Sequence, residues 1–312
     1  MPAKGVRTFS EVFGNTLGTF AAEDDRICAV TAAMKSGTGL SVFADQYPER
    51  FFDTGIAEEH AVTFCGAMAA NGMRPVFAVY STFLQRSYDQ LLHDAALQRV
   101  HVTLAIDRAG IVGDDGETHQ GVFDTAFLRT VPGAQVFAPC YFAELEHMLH
   151  TAVYDCDGVA AVRYPRGTEG FCPADYAASD EPWQLLGDAQ AEIVLVTYGR
   201  LFSYACLARE ALTAQGISVS VIKLNRIIPI PADAVEAAAH ARHVFFFEEG
   251  IRQGGVGEDF AAQLAEHAFR GSCRLFAIDD TFVPHASVAE SLHALSLDAE
   301  GMQVRILEAL KK

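Results

Sequence analysis

Two adjacent carboxylates, Glu58 and Glu59, stand at a junction between two apolar runs in FFDTGIAEEHAVTF, residues 51–64. The first run is typical of a strand and the second of a helix, so the two acids open the helix. Each residue turns a helix by about 100°, so the two side chains cannot face the same way. Acids in a first turn favour the helix dipole, which explains both without chemistry. The alternative is that one points into a cleft while the other is solvated.

Aromatic and basic side chains follow the next apolar run, in AVYSTFLQRSYDQ, residues 78–90. Phe83 and Arg86 are three residues apart and share a helix face once a helix has begun, with Tyr80 just before them. One interpretation is an ordinary core aromatic beside a surface arginine. The other is an aromatic platform for a flat heterocycle.

A polar, glycine-rich loop is predicted within DRAGIVGDDGETHQG, residues 107–121. An irregular loop of this length between strands favours a functional role, with a solvated surface loop as the alternative. Its carboxylates lack the spacing of an EF-hand, and we predict no metal site in this chain. Its acid–base groups are Asp107, Arg108, Asp114, Asp115, Glu117 and His119.

Two arginines stand at the end of a further strand-like run, in VRYPRGTEG, residues 162–170. The chain has a net charge of -17, so basic residues at a strand end indicate a local clamp for a phosphate or carboxylate. A structural ion pair is the alternative for both Arg163 and Arg166.

The elements that must position these residues alternate between helix and strand along the whole chain. The strands are apolar almost throughout, which indicates α/β domains whose parallel sheets are covered on both faces. The alternation is interrupted by GTEGFCPADYAASDEPWQLLGD, residues 167–188, which is typical of a linker. We therefore predict one α/β domain over residues 1–170, a linker over 171–187 and a smaller α/β domain over 188–312.

In such sheets, ligands bind at the carboxyl ends of the strands. In the first domain this rule selects residues 54–58, 80–83, 107–108 and 164–166. In the second domain it selects residues 199–200, 248–250 and 279–282.

The bulk composition excludes several classes of partner. Half of the 312 residues are hydrophobic and the sequence pI is about 5.0, so the overall field repels nucleic acid and anionic membrane surfaces. The seven cysteines form no C-x-x-C or zinc-like spacing, which favours buried free thiols in a reducing compartment. There is no signal-peptide pattern and no apolar stretch of 18 residues, so we predict a cytoplasmic protein.

Taken together and in this order, the four segments resemble the C-terminal half of 1-deoxy-D-xylulose-5-phosphate synthases, which are transketolase-like thiamine diphosphate enzymes. TAAMKSGTGL, residues 31–40, shares the resemblance, and VFFFEEGIRQGGVGE and LDAEGM are similar to the last domain of those enzymes. The resemblance covers nearly the whole chain. It implies a transketolase-type pyrimidine-binding domain followed by a transketolase C-terminal domain.

On the cofactor side, the resemblance implies that Glu58 is the acid that hydrogen-bonds N1′ of the aminopyrimidine and shares a proton with it. Glu59 is then its solvated neighbour. Phe83 matches the ring that stacks on the pyrimidine, with Tyr80 and Arg86 beside it.

On the substrate side, Asp115 and His119 match loop groups that contact substrate and take part in catalysis. Tyr80, Arg108 and Arg166 match the pocket for a glyceraldehyde-phosphate acceptor. The chain departs from the family pattern at Glu59, where glutamine is usual, and at Asp114, where a small residue is usual. Both departures add negative charge near the predicted pocket.

The half of these enzymes that binds the cofactor's diphosphate through Mg²⁺ carries Gly-Asp-Gly followed by Asn, and no GDG occurs in this sequence. In the family, the cofactor lies between the pyrimidine side of one protomer and the diphosphate side of another. We therefore expect a split enzyme in which this chain forms a homodimer and joins a separate subunit that carries GDG…N and the Mg²⁺. The initial Met and a plausible first helix favour a separate gene product.

Three readings of the function stay open. The first is a synthase-like transferase that takes pyruvate and glyceraldehyde 3-phosphate, and the second is a split transketolase that acts on sugar phosphates. A β subunit of a 2-oxoacid dehydrogenase is a weaker option, because such a subunit needs a lipoyl-carrying partner. The third is a non-catalytic relative that keeps the fold.

Overall fold

The computed structural model describes residues 7–311, which form two α/β domains. The first helix begins at Phe9, because the Thr8 side chain accepts a hydrogen bond from the Glu11 amide and the Glu11 carboxylate accepts one from the Thr8 amide. Val12, Phe13 and Leu17 of this helix are buried.

In the first domain the strands are β1 (Ile27–Thr31), β2 (Phe51–Asp53), β3 (Arg74–Tyr80), β4 (Val102–Asp107), β5 (Gln135–Phe137) and β6 (Val159–Arg163). The α-helices are α1 (Phe9–Glu23), α2 (Ser41–Gln46), α3 (Glu58–Ala70), α4 (Ser81–Leu84), α5 (Tyr88–Gln90), α6 (Asp124–Leu128) and α7 (Phe142–His150). Short 3₁₀ segments cover Pro48–Arg50, Gln85–Ser87 and Glu117–His119, and π-helical turns cover Leu91–Ala96 and Thr151–Asp155.

In the second domain the strands are β7 (Trp183–Leu186), β8 (Ile193–Tyr198), β9 (Val219–Leu224), β10 (Arg226–Ile228), β11 (His243–Ile251) and β12 (Ser272–Ile278). The helices are α8 (Leu201–Thr213), α9 (Ala232–Ala239), α10 (Val256–Glu266), α11 (Val288–Ala294) and α12 (Ala299–Leu310).

Two sheets result, in the orders β10-β5-β6-β4-β3-β1-β2 and β12-β11-β8-β9-β7. Their strand pairs are parallel except at one edge of each sheet, where β10 pairs with β5 and β7 pairs with β9 in antiparallel fashion. Every residue of β1, β4, β6, β8 and β9 is buried, as expected for central strands covered on both faces. The α/β fold class is confirmed, with mixed rather than purely parallel sheets.

The structure differs from the predicted linker at its end. Residues 183–186 fall inside the span 171–187 but form β7, an edge strand of the second sheet. Trp183 and Leu185 pack against the hydrophobic core, and burial of these side chains draws this part of the segment into the sheet. A second difference is β10, which lies beyond the predicted boundary at residue 188 yet extends the sheet of the first domain.

The helical stretch that carries Phe83 and Arg86 begins at Ser81, directly after β3 ends at Tyr80. It changes from α to 3₁₀ to α to π turns before Leu97. Phe83 and Arg86 therefore lie on one helical stretch, as their spacing predicts. Over residues 7–311, the helices are too short or too polar to cross a membrane. The seven cysteines are free, and five of them are buried.

Candidate active site

Glu58 is the first residue of α3, and its side chain is 2% exposed, whereas its neighbour Glu59 is exposed. The two carboxylates thus point in different directions, as the helix geometry predicts. The Arg86 guanidinium donates from Nη1 to Glu58 Oε1 at 2.9 Å. This ion pair is half-open to solvent on the arginine side, where the side chain is 47% exposed.

The second oxygen of this carboxylate, Glu58 Oε2, is buried and has no hydrogen-bond partner anywhere in residues 7–311. A buried acceptor without a partner costs about 1–3 kcal/mol, so natural proteins rarely leave one unless a ligand or water completes it. A ring nitrogen of an aminopyrimidine would satisfy this oxygen if the two atoms share one proton.

Phe83 is the centre of an aromatic group beside this carboxylate. Arg86 Cζ lies 5.0 Å from the centroid of the Phe83 ring, so the arginine contacts both Glu58 and the aromatic face. The Tyr80 ring stacks on Phe83 with centroids 6.0 Å apart and 25° between planes. The His119 ring meets Phe83 edge-on at 5.3 Å. Both Phe83 and Tyr80 are half-buried, which leaves part of each ring accessible to a ligand.

Arg108 covers the other side of the tyrosine, with its Cζ 3.6 Å from the centroid of the Tyr80 ring. Its Nη1 also donates to the carbonyl of Gly37 at 3.1 Å, in the loop that the sequence motif TAAMKSGTGL forms. Burial raises the pKa of the Tyr80 hydroxyl above its ordinary value, although the nearby Arg108 opposes the shift. The phenol therefore stays neutral and able to donate a hydrogen bond at physiological pH.

Asp115 joins the two arginines that the sequence assigns to an anionic substrate. Its Oδ2 lies 2.9 Å from Arg166 Nη1 and 3.8 Å from Arg108 Nε. Arg163, the other arginine considered as a clamp, is buried and makes a two-point ion pair with Asp124 at 2.8 and 3.1 Å. Of the two alternatives, a structural ion pair describes Arg163, whereas Arg166 lies at the pocket where it could bind an anion.

Asp107 lies beneath this arrangement at the end of β4 and is fully buried. Burial raises the pKa of its carboxyl group to about 6, with Arg108 and the Ser10 hydroxyl opposing the shift. The Ser10 hydroxyl donates to Oδ2 at 2.6 Å, and Oδ1 lies 3.7 Å from Arg108 Nη1. The strand-end rule selects Asp107 from sequence, but no local signal in the sequence links Ser10 or Gly37 to the pocket.

All eight predicted site residues lie in one connected group. Contacts run from Glu58 through Arg86, Phe83, Tyr80, Arg108 and Asp115 to Arg166, with His119 on Phe83. Across the described part of the chain, no three His, Cys, Asp or Glu side chains are grouped to hold a metal ion. The group offers a buried carboxyl group with one unpartnered oxygen, aromatic faces and two arginines, which is a set suited to a flat heterocycle and an anionic substrate.

Comparison with known families identifies both domains. Residues 6–169 match the transketolase pyrimidine-binding domain and residues 183–302 match the transketolase C-terminal domain. The first match alone spans more than half of the 312 residues. The chain belongs to the transketolase family. Glu58 and its neighbours lie in the domain named for pyrimidine binding, which agrees with the orphaned Glu58 oxygen.

Curated relatives within the transketolase family are 1-deoxy-D-xylulose-5-phosphate synthases. The Symbiobacterium thermophilum synthase is 46% identical over 307 residues, which cover 96% of this chain and 47% of the relative. The Pelotomaculum thermopropionicum synthase is 44% identical over 310 residues, covering 97% and 48%. The chain therefore spans about half the length of the curated relatives it matches, and the resemblance to a C-terminal half is confirmed.

A solved structure matches over nearly its whole length. A chain described as a split gene transketolase, inactive β4 tetramer, superposes with a TM-score of 0.85 at 25% identity. The match covers 98% of this chain and 99% of that one. This protein therefore shares the two-domain arrangement of that transketolase chain.

Proposed function

We propose that this chain forms the aminopyrimidine-binding half of a thiamine diphosphate-dependent transferase of the 1-deoxy-D-xylulose-5-phosphate synthase type. The observation that carries the proposal is Glu58 Oε2, a buried carboxylate oxygen without a partner within residues 7–311, next to the partly accessible ring of Phe83. The curated relatives that match at 46% and 44% identity are synthases of this name.

Each residue of the group then has a task. Glu58 shares a proton with N1′ of the aminopyrimidine through Oε2, while Arg86 holds the other oxygen and keeps the carboxylate in place. Phe83 and Tyr80 supply the apolar face on which the pyrimidine rests. When bound, thiamine diphosphate supplies the nucleophilic thiazolium carbon that carries the two-carbon unit. Burial of Glu58 lowers the local dielectric constant, which strengthens the proton-sharing hydrogen bond.

The acceptor side is made by Tyr80, His119 and the two arginines. Arg108 and Arg166 bind the phosphate of glyceraldehyde 3-phosphate. The phosphate either displaces the Asp115 carboxylate from these two arginines or shares them with it. His119 stands against Phe83 at the junction of the cofactor and acceptor sides, where it orients the reacting carbonyl or moves a proton to it.

The remaining half of the cofactor site belongs to a second polypeptide in this proposal. It carries the Gly-Asp-Gly…Asn ligands for Mg²⁺ and the diphosphate, and two copies of it assemble with a homodimer of this chain in the cytoplasm. Support comes from the match to a chain described as a split gene transketolase. That same match favours a second candidate function, the C-terminal subunit of a split transketolase that acts on sugar phosphates.

A reconstitution experiment separates these functions. The chain is mixed with the candidate GDG…N polypeptide, Mg²⁺ and thiamine diphosphate, and then supplied with pyruvate plus glyceraldehyde 3-phosphate or with xylulose 5-phosphate plus ribose 5-phosphate. We expect product from the first pair only. Product from the second pair alone would replace the synthase with a transketolase, and no product from either pair with a verified complex would favour a non-catalytic relative.

A further inference from the structure

The base of the loop that carries Asp115 and His119 rests on the second domain. Gly110 and Gly121 close the loop through reciprocal backbone hydrogen bonds of 2.6 and 2.7 Å. Glu249, a buried residue of β11, packs directly against this closure. A Cβ atom on Gly110 would lie only 2.4 Å from Glu249 Cδ, so the carboxylate touches the loop backbone.

The carboxylate of Glu249 and the guanidinium of Arg200 hold both backbone groups of Ile111. Glu249 Oε2 accepts a hydrogen bond from the Ile111 amide at 3.1 Å. Arg200 Nη2 donates to the Ile111 carbonyl at 2.8 Å. The two side chains pair with each other at 3.2 Å (Nε to Oε1) and 2.5 Å (Nη2 to Oε2). Arg200 stands immediately before α8, so its backbone is anchored in the second domain.

The returning arm of the loop is fastened to the same domain. The Ile251 amide donates to the carbonyl of Val122 at 2.8 Å. The Gln120 side chain accepts from the Val112 amide at 2.8 Å and donates to the carbonyl of Val283 at 3.4 Å. The second domain therefore grips residues 110–122 on both arms, while Asp115 and His119 project from the free end toward Arg108, Arg166 and Phe83.

Net stability alone does not account for this ion pair. A buried pair adds little stability, because the loss of hydration offsets the attraction between the charges. Its special feature is that both members also bind the backbone of one loop residue, Ile111. Such an arrangement fixes the position and orientation of the loop backbone. Catalytic rates fall steeply when groups that contact the substrate are displaced by even about 1 Å.

We propose that the Arg200–Glu249 pair of the second domain is a positioning device that sets the acceptor side of the site through the loop backbone at Ile111. This inference rests on the proposed transferase function. It assigns the second domain a part in recognising the acceptor. The aminopyrimidine side is held mainly by other elements, because Glu58, Arg86 and Phe83 lie on α3 and the helical stretch after β3, and the loop meets it through the His119 contact with Phe83 and the Thr82 bond to the Thr118 carbonyl.

Hydrogen–deuterium exchange on the full chain tests the device without any assay of activity. We expect the backbone amides of residues 109–116 to exchange about tenfold faster in Arg200→Met and Glu249→Gln than in the unsubstituted protein, because each variant breaks the charged pair that holds both backbone groups of Ile111. The matched control is Arg209→Met. Arg209 lies on α8 and pairs with the Asp175 carboxylate instead of with the loop, so its loss removes an ion pair of the same kind elsewhere. Unchanged exchange in the loop, or an equal rise over both domains, would refute the positioning role.

Kinetics of the assembled enzyme supply the second readout. We expect Arg200→Met to lower kcat/KM for the phosphorylated acceptor about ten- to a hundredfold, with a much smaller change in the half-saturating cofactor concentration. Arg200→Lys should recover part of the loss, and the Arg200→Met/Glu249→Gln double variant should be no worse than the poorer single one. Acceptor kinetics equal to those of Arg209→Met would overturn the inference. A wild-type complex without turnover would instead contradict the proposed function. The hydrogen–deuterium exchange experiment would still test whether Arg200 and Glu249 hold the loop, because it needs no activity.

Discussion

Arg86 donates to one oxygen of the Glu58 carboxylate at 2.9 Å and leaves the other oxygen buried without a partner in the described chain. One oxygen is thus anchored and the other is free for a ligand. Arg86 orients the carboxyl group through Oε1 on the solvent side, and the buried Oε2 stays available to a ligand. It is the feature of this site that a purely structural glutamate would lack.

Replacing Glu58 with glutamine tests that feature. The amide keeps the shape of the side chain but cannot share a proton with a ring nitrogen in the same way, so we expect turnover of the assembled enzyme to fall about a hundredfold or more. The matched control is Glu59→Gln, on the same first turn but exposed, which should stay near the wild-type rate. Equal rates for both variants would remove Glu58 from the proton-sharing role.

Replacing Phe83 with alanine tests the aromatic face. An aromatic pair contributes about 0.5–1.5 kcal/mol beyond its buried area, so we expect the half-saturating thiamine diphosphate concentration to rise about tenfold. Phe64→Ala is the control, because that half-buried ring packs on Phe52 and His60 instead. A similar rise for both variants, with similar losses of thermal stability, would mean that Phe83 acts only through the fold.

Loss of Arg166 should weaken binding of the acceptor, whereas loss of Arg163 should lower the stability of the fold. Arg166→Met removes a charged donor at the pocket, so we expect KM for the acceptor to rise about ten- to a hundredfold while KM for pyruvate stays unchanged. Arg163→Met leaves Asp124 buried without its partner, and we expect it to lower the free energy of unfolding by about 3–5 kcal/mol. Initial-rate kinetics and urea unfolding measure the two effects. The assignment is wrong if Arg163→Met unfolds as easily as wild type or if Arg166→Met leaves the acceptor KM untouched.

Asp107 should make stability depend on pH in the direction opposite to a salt-bridged carboxylate. Burial raises its pKa from 3.8 to about 6, so the folded state favours the neutral acid. Below the unfolded pKa both states carry the proton, and as pH rises from about 4 to above 6 the folded state is progressively penalised. Asp107→Asn should therefore become more stable than wild type with rising pH, by on the order of 3 kcal/mol at pH 8.

Urea unfolding of the two proteins between pH 4 and pH 8 measures this difference. Asp45→Asn, at an exposed position of α2, is the control and should show a constant difference over the range. A difference in unfolding free energy between Asp107→Asn and wild type that stays flat, or that moves in favour of wild type as pH rises, would contradict a raised pKa at this residue.

Most of the candidate site could be predicted from the sequence because its residues follow consecutive apolar strands. Parallel strands bring their carboxyl ends to one edge, so Glu58, Tyr80, Arg108 and Arg166 had to converge once the fold class was known. The helix period likewise required Glu58 and Glu59 to diverge. The limits of the helical stretch after β3 were less predictable, since its mixture of α, 3₁₀ and π turns depends on packing rather than on a repeat.

The sequence by itself determined the α/β alternation, the family and the group of residues at the strand ends, because these depend on local periodicity and on motifs a few residues long. Only the tertiary structure decided that Arg163 is a buried structural partner while Arg166 reaches the pocket, and that Arg200 and Glu249 hold the site loop from the second domain. The physical reason is that these pairings join residues 39 to 138 positions apart in the chain. Such contacts are selected by how the two domains pack, and no local pattern records that packing.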